Sequence, residues 1–190
     1  MMSERRNLWL GIAGVAAVQA AVLGWMIWDR AHLLATGREV VLEVVPVDPR
    51  SLFRGDYVIL GYDMSRIDTP SGMSRPKRGE DIYVTLQKGD GGKWTVAGAS
   101  LEPPTGATAD QVVLKGRVQY SSPGSEQAPA QTGVRYGIES FFVPEGTGRE
   151  LEALVRERKL SALIAVDNEG NAGIKGLIVD GQRVYEEPLL

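Results

Sequence analysis

The sequence predicts an α+β protein, mainly β: an antiparallel β-rich extracytoplasmic domain with one short amphipathic helix, preceded by one transmembrane helix. Three observations carry that expectation. Residues 8–28 form an apolar run broken only by Gln19. Beyond residue 38, short stretches rich in β-branched and aromatic residues alternate with Gly-, Asp- and Pro-containing turns, the pattern of strands. One later stretch, "TGRELEALVRERK", has the spacing of a helix instead.

As a helix the apolar run is about 31 Å long, which matches the hydrocarbon core of a bilayer. Trp9 stands at one end and Trp25 and Trp28 at the other, where amphipathic rings favour the interface. Arg5 and Arg6 precede the run and place residues 1–7 in the cytoplasm, although Arg30 and Arg38 on the far side weaken the bias. A signal peptide cut after "VQA" (18–20) competes, but it leaves the strongly apolar "AVLGWMIW" as a new N-terminus. An uncleaved anchor over 8–28 is the preferred reading. Ala16, Ala20 and Gly24 share one helix face, and small residues at that spacing let membrane helices approach closely. Alanine-rich anchors also show such spacings by chance, and both readings stand.

Residues 29–37 read as a linker and 38–190 as the outer domain. "EVVLEVVPV" (39–47) and "DYVILGY" (56–62) read as strands. "DIYVTLQKGDGGKWTVAGAS" (81–100) reads as a hairpin with "GDGG" as its loop, and "DQVVLKGRVQY" (110–120) as a strand with a glycine inside it. Residues 66–80 and 121–133 have loop composition. The first of these carries Arg66, Arg75, Lys77 and Arg78, which read as a solvated surface ahead of a headgroup-binding one. Thr147 and Glu150 have capping-box spacing, and Leu151, Leu154 and Val155 fall on one face of the helix that follows. Residues 160–185 return to strands, turning at "DNEGN" (167–171) and at Asp180-Gly181, a two-residue hairpin signal. "DNEGN" lacks the alternating ligands and distal glutamate of a calcium loop.

Composition excludes several chemistries. There are 21 Lys and Arg against 24 Asp and Glu, a net charge of -3, so no basic footprint points to nucleic acid. With no cysteine and one histidine, a thiol nucleophile, a disulfide framework and a Cys/His zinc site are all ruled out. No metal and no cofactor are expected. His32, just past the apolar run, reads as an interfacial or solvated side chain rather than a base.

The stretch "RGDYVILGY" suits a turn entering a strand, with Gly55 and Asp56 in the turn. Alternation puts Asp56, Val58, Leu60 and Tyr62 on one face and Tyr57 and Ile59 on the other. Gly55, Asp56, Tyr57, Leu60 and Tyr62 spell G-D-Y-x-x-L-x-Y, and this resembles the bacterial GDYXXLXY family. The segment "YGIESFFVPEGTGRELE" (136–152) resembles it too, through Tyr136, Gly137, Glu139, Phe142, Pro144, Glu145 and Gly146, as does the closing "GIKGLIVDGQRVYEEPL". The resemblance implies a single-pass protein of the bacterial inner (cytoplasmic) membrane, its C-terminal domain periplasmic or extracellular. It also implies genes lying near those of multi-pass membrane proteins. It implies no reaction.

An enzyme is the less favoured reading. "SLFRGD" resembles the end of the signal-peptidase nucleophile motif, but Val47 stands where the serine belongs and Arg50 where a proline does. Such a domain would lack its nucleophile. A hydrolase-like carboxylate site would pair Asp56 with Glu139 or Glu145. Each acid also has a structural reading, including an ion pair of Glu139 with Arg54 or Arg135. A ligand sensor lined by Tyr57, Tyr62 and Tyr136 ranks below association. The expected function is that of an accessory or interaction partner of an integral membrane protein, touching the bilayer and meeting its partner or a second copy through the anchor.

Overall fold

The computed structural model describes residues 2–46, 57–125, 128–143 and 147–186. Helix α1 runs unbroken over Met2–Thr36. It includes one stretch, Trp9–Thr36, that is long and apolar enough to cross a membrane. Its large apolar side chains, from Trp9 and Leu10 through Ile27 and Trp28, are all exposed in the single chain. An apolar surface of that extent suits a covering such as a bilayer. The helix does not stop where hydrophobicity falls. It continues through the stretch read as a linker and ends at Gly37, whose amide bonds to Leu33 O at 2.9 Å.

The domain that follows α1 is built from antiparallel strands around one core. The first sheet has the order β1-β9-β10-β11, from Arg38–Glu43, Leu160–Val166, Ala172–Val179 and Gln182–Glu186. The second has the order β3-β7-β6-β4-β5, from Arg66–Asp68, Gln131–Arg135, Gln111–Ser122, Asp81–Lys88 and Trp94–Ser100. A short pair, β2 (Tyr57–Ile59) with β8 (Ser140–Phe142), stands beside them. Alternation sorts the faces: Ile82, Val84 and Leu86 of β4 and Val112, Leu114 and Val118 of β6 all point into the core. The 81–100 hairpin and the Asp180-Gly181 turn form as the sequence indicates, the latter with φ of 48° and 82°.

Strand β9 is buried on both faces. Ala162, Ile164 and Val166 join the core, while Leu163 and Ala165 face the other way, toward α1. The end of α1 rests there: Leu34 is buried, and Arg30 Nη1 donates to Ala172 O at 3.4 Å. The seat depends on missing side chains. A Cβ at Gly37 would lie 3.0 Å from Ala165 Cβ, and one at Gly173 would run into Arg30 and Leu34.

Three loops and strands differ from the sequence reading. Residues 66–68 form β3, and β6 and β7 extend into the stretch 121–133, because pairing with neighbouring strands orders polar segments that have no pattern of their own. Helix α2 (Gly148–Arg156) buries Leu151 and Val155 and packs Leu154 against the core, but the hydroxyl of Thr147 makes no capping bond. The basic loop borders the end of β6 opposite to the one that meets Arg38. Arg75 Nη2 donates to Ser121 O at 2.5 Å, whereas Arg38 donates to Ala109 O and Gln111 O.

Candidate functional site

The two motif segments meet at the far end of β1 from the helix. Val45, past β1, bridges Gly61, so the signature strand lies about 23 Å along the sheet from Arg38, at roughly 3.3 Å per residue. Strand β2 pairs with β8 in the register Tyr57–Phe142, Val58–Phe141, Ile59–Ser140, and Leu60 N then donates to Glu139 O at 2.9 Å. Val58, Leu60 and Tyr62 are buried, as the period of two requires. Phe141 is buried while Phe142 is 76% exposed, the same alternation on the partner strand.

The tyrosines close the contact reciprocally. Tyr62 OH donates to Ile138 O and Tyr136 OH donates to Met64 O, each at 2.8 Å, so each segment's ring satisfies a backbone carbonyl of the other. A single 3₁₀ turn at Asp63–Ser65 presents the Met64 carbonyl. Both rings are buried, and removal from water pushes both phenols far above their ordinary range, with the negative charge of Glu139 adding to the shift. Gly116 of β6 makes room for this packing, since a Cβ there would lie 3.0 Å from the Tyr136 ring.

Glu139 ties the second segment to itself. Its carboxylate accepts from Tyr136 N at 2.6 Å and Gly137 N at 2.9 Å, and Arg135 Nε lies 3.8 Å away. The ion pair with Arg135 expected from the sequence is therefore present at long range. Gly137 has φ of 82°, a left-handed turn that reverses the chain into β8. "YGIE" is thus a self-bonded turn: a glycine for the reversal, and a glutamate to hold the two amides the reversal exposes. A carboxylate so engaged offers few free lone pairs for proton transfer.

Gly55, Asp56, Pro144, Glu145 and Gly146 lie outside the described residues, as do Val47 and Arg50, on which the signal-peptidase comparison rests. Among the described residues no group of three or more His, Asp or Glu could hold a metal ion. What the sequence does not mark is the acceptors: Met64 and Ile138 serve through their carbonyls, which any residue has. Ser65 Oγ is buried without a partner among the described residues, beside a groove of about 660 Å³ walled by Arg66, Tyr120 and Arg135.

Fold and site together define an antiparallel β domain, carried on one apolar helix and locked by a pair of crossed tyrosines. A family model described as "GDYXXLXY protein" matches residues 19–177, and the chain belongs to that family. No curated protein and no solved structure matches.

Proposed function

We propose that the chain is a membrane-anchored accessory protein that works by association with an integral membrane protein, with its domain outside the cytoplasm of a bacterial cell. The observation that carries this reading is the unbroken α1, which leaves the apolar stretch and seats directly on β9 and β10. A domain fixed to its anchor in this way has a defined height and orientation above the bilayer, which suits docking against a neighbour in the same membrane. Leu60, Tyr62 and Tyr136 serve packing, which agrees with a scaffold. The face carrying Ala16, Ala20 and Gly24 is uncovered in the single chain and is the proposed helix contact.

Cross-linking in native membranes, followed by purification of the tagged chain, tests this. One membrane protein recovered in near-equal amount, and lost when Ala16, Ala20 and Gly24 become leucine, is the expected result. Recovery of the chain alone overturns it. The hydrolase-like alternative predicts that Asp56→Asn, Glu139→Gln or Glu145→Gln leaves a folded protein inactive in the cell.

A further inference from the structure

The apolar run of α1 is broken only by Gln19, and neither the signature nor the proposed function uses that residue. It stands one residue from the midpoint of 8–28, so it lies about 15 Å from either edge of a hydrocarbon core. Its two-methylene stem is too short to carry the amide to the interface. The side chain offers a carbonyl acceptor and an NH2 donor, and neither has a partner among the described residues. Water is absent at that depth, so the amide needs a hydrogen bond from another helix.

Its neighbours form a seam suited to one. Ile12, Gln19 and Met26 recur every seven residues, and Val15 and Val22 follow the first two by three. All four apolar members are exposed in the single chain. This is the a/d spacing of a left-handed helix pair, in which one polar a residue fixes the register. The seam differs from the small-residue face of Ala16, Ala20 and Gly24, whose middle member Ala20 is turned from Gln19 by about 100°.

The domain beyond the helix decides what can lie there. Arg30 and Gly37 stand eleven and eighteen residues past Gln19, about three and five whole turns, so they share its face. These are residues by which α1 rests on β9 and β10: Arg30 reaches Ala172 O, and Gly37 lies against Ala165. The domain therefore sits directly over the Gln19 seam. A second copy laid along the seam has to continue as helix to its own Thr36, about 12 Å past Trp28, through the space that β9 and β10 fill. A helix that ends at the membrane surface fits beneath them. We infer that the Gln19 seam holds a transmembrane helix of a different protein, one that carries a hydrogen-bonding side chain at mid-bilayer depth and ends at the interface. The inference rests, as the proposed function does, on α1 spanning a bilayer.

The test uses the full chain in lipid vesicles with a synthetic leucine–alanine transmembrane peptide, either wholly apolar or with one central asparagine. Association is read by energy transfer between dyes on chain and peptide. The asparagine peptide is expected to bind about tenfold more tightly than the apolar one, the size of one interhelical hydrogen bond. Gln19→Leu, at an exposed helix position, is expected to erase the difference. Equal binding of the two peptides, or a preference that survives Gln19→Leu, overturns the proposal. Gln19-dependent pairing between copies of the chain overturns the choice of occupant. Moving the amide to the opposite face, by Gln19→Leu with Ala17→Gln, is expected to permit pairing between copies, because no domain overhangs that face. A double variant that pairs no better than the parent overturns the steric selection. Resistance to carbonate extraction reads the membrane span on its own, so failure of the seam and failure of the membrane reading are distinguishable.

Discussion

The two ends of the first sheet are joined to the rest of the molecule by opposite means. At the helix end, α1 meets β9 and β10 where side chains are small or missing: Gly37 brings the chain close to Ala165 and the Val166 amide, and Gly173 leaves room for the side chains of Arg30 and Leu34. At the signature end, two large rings cross and each hydroxyl finds a carbonyl on the other segment. The first joint is set by exclusion and is disturbed by added atoms. The second is set by filled volume and satisfied polar groups, and tolerates no loss. The family signature includes the second joint through Leu60 and Tyr62, whereas Gly37, Ala165 and Gly173 of the first lie outside both motif segments.

Breaking each joint in its own way sharpens the contrast. Tyr136→Ala removes a buried ring and leaves Met64 O without its donor, and is expected to cost about 3–5 kcal/mol. That lowers the melting temperature of the full chain in detergent by about 10 °C, readable by scanning fluorimetry. Gly173→Leu is expected to cost less, about 1–3 kcal/mol. Its sharper readout is protease cleavage after Arg30, protected in the parent and exposed once the helix end lifts from β9 and β10.

The smallest expected effect is the most diagnostic. Tyr62→Phe and Tyr136→Phe keep the rings and delete one hydrogen bond each, for about 1–2 kcal/mol. Because burial raises both phenol pKa values, the folded state keeps these protons while the unfolded state loses them above about pH 10. Below that pH both states are protonated and the tyrosines add no pH dependence. Above it stability falls with rising pH, by up to about 1.4 kcal/mol per unit for each tyrosine. Each Phe variant is expected to remove one such contribution from an alkaline denaturation profile, and an unchanged profile would show that the hydroxyls are not buried.

Much of this was legible in the letters. The two-period in "DIYVTLQK", the "GDGG" and Asp180-Gly181 turns, and the stripe Leu151, Leu154, Val155 report their own structure because local geometry decides them. The end of α1 was not read from hydropathy, since "DRAHLLAT" is amphipathic and helical at once. The better marker was Gly37, the first glycine after Gly24, at the position where helices close. Strands β3 and β7 carry no pattern because their order comes from pairing with chain far away. The tyrosines were visible as residues, yet their partners were not, because Ile138 and Met64 act through backbone oxygen.

The pairing of β1 with β9 has a consequence in time. Arg38 lies opposite Val166, so the first strand to leave the ribosome waits for a partner made roughly 130 residues later. At about 5–20 residues per second, that is an interval of some 6 to 25 seconds. Throughout it β1 stays unpaired, with Val40 and Leu42 lacking the core that buries them in the folded chain.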